Sequence, residues 1–138
     1  MGVFSPTYKG KFMSKEPKMI EFDLTYYSAI TVKPKQPFWD WDAQISPDEQ
    51  MDEQEKEEFI DVFLLPDFEA KEEMEDFLKK NFDSYFTQLL NSMYTEPKIW
   101  PEKRTYQMFL EWFEITFSPM VWIDEEELIK ENDSEKGL

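Results

Sequence analysis

The chain has 138 residues, 41% of them apolar, with 13 Phe, 5 Trp and 6 Tyr. That suits one core of the size about 100–150 residues usually share and is too aromatic for a disordered acidic chain. Its 31 acidic residues against 15 basic give a formal charge of −16, the wrong sign for direct contact with nucleic-acid phosphates or anionic membranes. Cysteine and histidine are both missing, which excludes disulfides, thiolate or imidazole metal centres, His-based triads and the commonest general base.

Residues 1–18 read as a basic flexible arm, carrying Lys9, Lys11, Lys15 and Lys18 beside Pro6, Pro17, Gly2 and Gly10. They lack the apolar h-region of a signal peptide. No apolar run approaches the roughly 18 residues of a membrane span, and a cysteine-free chain suits a reducing compartment. A cytoplasmic location is expected.

Alternation predicts a first strand over 20–32: Ile20, Phe22, Leu24 and Tyr26 share one parity, and the pattern blurs into a bulge near Tyr27-Ser28. Pro34 and Pro37 end it. A compact, proline-locked aromatic segment follows, leading into the most acidic stretch, 48–58, which is expected as a solvated loop or a short exposed helix. The apolar run 59–65 predicts a second strand, central in its sheet.

Asp67 is placed to cap the next helix. Met74, Phe77, Leu78, Phe82, Tyr85, Phe86, Leu89 and Met93 then recur at three- and four-residue steps, giving one amphipathic helix or two broken at Asn81-Phe82-Asp83-Ser84. Pro97 ends this region. Trp100-Pro101 opens a further helix with Tyr106, Phe109, Leu110 and Phe113 on its apolar face. A third strand takes over at Phe113, is interrupted at Ser118-Pro119 and resumes through Ile123. Residues 125–138 read as an acidic polar tail. The expectation is a single α+β domain over 19–124. It has a small, mainly antiparallel sheet of three to four strands, with two to three amphipathic helices on one face.

The three glycines, Gly2, Gly10 and Gly137, form no phosphate-binding loop, so no cofactor is expected. Only carboxylates remain for chemistry, with Asp40 and Asp42 flanking Trp41, and Asp67 and Glu69 opening a helix. Such a pair could serve a glycosidase-like hydrolase, but among so many acids a chance pair is cheap. The acidic run lacks the residue spacing and the glycine of an EF-hand loop, so no metal site is expected.

The candidates for partner binding are Phe38, Trp39, Asp40, Asp42, Asp48, Glu49, Asp52, Glu53 and Glu55. Tryptophan beside acids on a proline-rich segment resembles an interface anchor, and the acids would face a basic protein surface. Equally, Trp39 and Trp41 could cover the open side of the sheet, and the acids could serve solubility alone. Trp100, Trp112 and Trp122 fit the core. Arg104, the sole arginine, suits an intramolecular ion pair. The leading expectation is a non-enzymatic, acidic protein-binding module acting through 38–58. The alternative is an immunity or anti-defence inhibitor whose carboxylates mimic phosphates, and a carboxylate-pair hydrolase comes third.

Two stretches carry a resemblance: Pro34-Lys35-Gln36-Pro37-Phe38 with Asp40-Trp41, and Tyr94-Thr95 followed by Trp100-Pro101, Arg104, Phe109, Trp112-Phe113 and Met120-Val121. Together they resemble a family of small acidic bacterial proteins of unknown function, over roughly residues 30–124. The resemblance implies a bacterial cytoplasmic protein and supplies no activity. Members of that family carry histidine where Ser118 stands and serine where Pro119 stands, so any function of that histidine would be lacking here.

Overall fold

The computed structural model describes residues 19–128. The 1–18 arm and most of the 125–138 tail lie outside the described residues. The fold is α+β and divides into two compact units, one spanning 25–121 and one formed by the chain segments on either side.

In the larger unit, β2 (Tyr27–Pro34) is the middle of an antiparallel sheet between β3 (Asp61–Pro66) and β4 (Phe113–Ser118). The helices are α1 (Gln36–Ile45), α2 (Glu53–Glu57), α3 (Lys71–Met93) and α4 (Tyr106–Trp112), with a 3-10 turn at Pro97–Ile99. The second unit holds a two-stranded antiparallel ribbon of β1 (Phe22–Leu24) and β5 (Trp122–Asp124), with Asp23 opposite Ile123.

The 20–32 region is therefore two strands in two sheets. Between the two strands, the Thr25 N–H and hydroxyl both donate to the Val121 carbonyl, at 2.8 and 2.9 Å. The Tyr27 N–H in turn donates to the Thr25 hydroxyl oxygen at 3.3 Å. The strand expected to be central, β3, is an edge strand. Its continuous apolar run is split between faces, with Leu65 1% exposed but Val62 and Leu64 63% and 55% exposed.

The aromatic segment after Pro34 is helix α1 rather than an irregular loop. Pro37 sits in its first turn, where the fixed φ favours the helix. Phe38, Trp41, Asp42 and Ile45 then follow at helical spacing. Helix α3 runs unbroken through Asn81, and its cap is not Asp67. Glu73 reaches back to accept from the N–H groups of Glu69 and Ala70 at 3.0 and 3.1 Å, satisfying donors that a helix start would otherwise leave open. Helix α4 begins at Tyr106, later than Trp100-Pro101 suggests, because the Thr105 hydroxyl caps the Met108 N–H at 3.1 Å.

The core lies between the inner face of the three-stranded sheet and helices α1, α3 and α4. It gathers Ile30, Val32, Phe38, Trp39, Trp41, Leu65, Met74, Leu78, Phe86, Leu89, Leu90, Phe109 and Phe113. Phe86 is its hub, 5.5 Å from the Phe109 ring, 5.6 Å from Trp112 and 5.6 Å from Phe113 in an edge-to-face contact. Such contacts add about 0.5–1.5 kcal/mol each beyond area burial. Trp122, expected in the core, is 57% exposed on β5.

Candidate functional site

Helix α1 divides the predicted partner-binding residues by side. Phe38 and Trp39 are buried. Phe38 packs 5.3 Å from Phe113, and Trp39 packs edge-on to Phe59 at 5.5 Å. Asp42 is also buried, accepting from the Tyr94 hydroxyl at 2.6 Å and the Gln50 amide at 3.1 Å. As anchors for a partner these three are corrected: the segment is a helix, and they form its inward face. Asp40 alone of this group faces solvent, accepting from the Gln36 side chain at 2.8 Å.

Asp48, Glu49, Asp52, Glu53 and Glu55 are all exposed. Asp52 and Glu55 form a reciprocal capping box on α2, with the Glu55 N–H to Asp52 at 2.8 Å and the Asp52 N–H to Glu55 at 2.9 Å. The one lysine of the run, Lys56, holds its ammonium 5.4 Å from the centre of the Trp39 ring, a cation–π contact. It also lies 3.7 Å from Glu53. The run presents acids outward and its cation inward.

Arg104 pairs with Asp83, Nε to Oδ1 at 2.7 Å and Nη2 to Oδ2 at 3.1 Å, while Nη1 donates to the Pro101 carbonyl at 2.7 Å. The hydrogen bond to Asp83 raises the guanidinium pKa further. The fork joins α3 to the loop before α4.

Two polar centres went unseen in the sequence. One is the Asp42–Tyr94 contact, extended by the Tyr94 hydroxyl to the Ser46 hydroxyl at 2.7 Å. Burial first, then the hydrogen bond to Asp42, raises the Tyr94 pKa above its ordinary value. The other is Ser28, fully buried, whose hydroxyl accepts from the Phe68 N–H at 3.0 Å and faces the Phe68 and Pro119 carbonyls at 3.2 and 3.1 Å. Ser118, next to Pro119, donates to the Met120 carbonyl at 2.8 Å.

Asp40 and Asp42 do not share a site, since one faces solvent and the other the core. Carboxylates do crowd together on the ribbon unit, where Glu21, Asp124, Glu125 and Glu126 line a recess of about 150 Å³. The Glu125 pKa is raised there, chiefly by the charge of Asp23. Like-charge crowding at a surface suffices for that shift. Among the described residues no group of three or more acids is arranged to hold a metal ion. Among them, too, no helix is long and apolar enough to cross a membrane. Compared with known proteins, the chain matches no family model, and neither a curated protein nor a solved structure matches it significantly.

Proposed function

We propose that this is a non-enzymatic protein-binding module of the bacterial cytoplasm whose acidic surface over 48–58 meets a basic protein. The observation that carries the reading is the one-sided presentation of that run: Asp48, Glu49, Asp52, Glu53, Glu55, Glu57 and Glu58 are exposed, while Lys56 is turned to Trp39. A helix held by its own capping box fixes part of this charge in place, which favours electrostatic steering of a cationic partner. The bacterial setting rests on the motif resemblance alone.

The test is capture of partners from a bacterial lysate by the full chain and by an Asp48→Lys, Glu49→Lys, Glu53→Lys variant. These three positions are chosen because none of them caps α2. The reading expects a stoichiometric basic partner for the parent chain, lost with the variant. A partner that is itself a nucleic-acid-binding enzyme would make the module an inhibitor by phosphate mimicry. Equal capture by both baits would reject the acidic surface.

A further inference from the structure

The three-stranded sheet has an edge whose backbone groups can be assigned strictly. Pro34 stands opposite Phe113, and having no N–H it cannot form a hydrogen-bonded pair there. The next bond confirms the phase, with the Lys35 N–H donating to the Trp112 carbonyl at 2.7 Å. Antiparallel alternation then directs Lys33, Thr31 and Ala29 toward β4, and Val32, Ile30 and Ser28 toward β3. Their β3 partners are Asp61, Phe63 and Leu65. The N–H and C=O groups of Val62 and Leu64 therefore point off the free edge.

Three further features surround that edge. The side chains of Val62 and Leu64, with Ile60 just before the strand, are half or more exposed. A recess of about 130 Å³ lies between β3 and α3, lined by Asp61, Val62, Phe63, Gln88, Leu89 and Ser92. Acids bracket the strand: Glu58 and Asp61 before its middle, Asp67 and Glu69 after it. Lys33, the nearest cation of β2, is already engaged with Glu57 at 2.7 Å.

An apolar edge with open backbone groups is a template for strand pairing. From this geometry we infer that β3 receives an extended segment of a partner protein by strand addition. The segment is apolar in its middle and carries lysine or arginine at its ends. Its backbone pairs with Val62 and Leu64, one apolar side chain enters the recess beside Leu89, and its basic ends meet the bracketing acids. A second copy of this chain fits worse. Antiparallel self-pairing about Phe63 would lay the Glu57-Glu58 end of one copy along the Asp67–Glu69 end of the other, in chains each carrying −16. The inference rests on the protein-binding reading and extends it from charge to a docking mode.

The test uses the full ¹⁵N-labelled chain and a synthetic peptide with lysine at both ends of a Val-Ile-Val-Thr-Val centre. Alone, the chain should exchange its Val62 and Leu64 amides faster than those of Phe63 and Leu65. The peptide should slow that exchange and shift the Gln88 and Ser92 resonances. A glutamate-ended peptide and the Val62→Pro variant should each weaken binding about tenfold or more. Proline is tolerated at Val62 because the edge N–H serves no internal bond, and unchanged Trp39 and Phe113 resonances would verify the fold. The inference is overturned if Val62 and Leu64 are already protected in the free monomer, if the peptide does not bind, or if it binds Val62→Pro equally. It is overturned as well by a dimer, seen in sedimentation, that Val62→Pro dissociates. The Asp48→Lys, Glu49→Lys, Glu53→Lys variant keeps β3 intact. If it retains the peptide yet captures no partner, the acidic-surface reading stands or falls apart from the edge.

Discussion

Ser28 shows how one hydroxyl joins separate pieces of the larger unit. It lies on the middle strand, fully buried, and bonds the backbone at Phe68 and faces that at Pro119, on the approaches to α3 and β5. Removing it strands the Phe68 N–H, so Ser28→Ala should cost about 1–3 kcal/mol of stability in denaturant titration. Tyr94 makes a pH-dependent counterpart. Its folded pKa is raised above the ordinary 10.0 by burial and by the Asp42 carboxylate. A raised folded pKa gives stability that is complete below the unfolded pKa and is lost as pH rises through the folded one. The chain should therefore lose stability above about pH 10. Tyr94→Phe should lower stability at neutral pH, by leaving Asp42 short of a donor, while removing that part of the alkaline loss. Both are read from unfolding midpoints across pH. Neither residue announces itself in the sequence, since a lone serine in a strand and a tyrosine after a helix carry no periodic signal.

Elements were legible where period and boundary agreed, and misleading where two periods overlapped. The α3 apolar face was plain because eight positions repeat at three- and four-residue steps over the helix Lys71–Met93. The α1 signal was present too, in Phe38, Trp41 and Ile45, but the short prolines-and-tryptophans segment also alternates and so reads equally as extended chain. Strand order was not legible at all. The continuous apolar run of β3 suggested two buried faces, whereas half of it lies on an open face that long-range pairing, not local pattern, decides. The ribbon of β1 and β5 joins residues about a hundred positions apart, which no local signal could pair. That ribbon has its own titration. Asp23 first, then desolvation and further acids, raise the Glu125 pKa above 4.5, so its contribution is complete below that value and fades as pH rises through the higher folded one. Amide exchange at Asp23 and Ile123 should slow relative to the intrinsic rate as pH falls from 7 toward 4.5, and Glu125→Gln should flatten the dependence. A pH-independent ribbon in the parent chain would contradict the crowding.

For the whole molecule, composition read charge well and placement poorly. The acids of 48–58 are exposed, and the neighbouring Phe38, Trp39 and Asp42 belong to the core, so the candidate surface is more purely electrostatic than the tryptophan-bearing segment suggested. A partner should then be held by charge first and lose affinity steeply with salt, because exposed charges are screened beyond about 10 Å at 0.1 M ionic strength. The most direct measurement is capture by the parent chain from a native lysate, washed at low and then at high salt. A stoichiometric basic protein that binds at low salt and elutes at high salt is the predicted result. A bait that stays empty at low salt, or a partner indifferent to salt, would contradict an acidic surface built to meet a basic one.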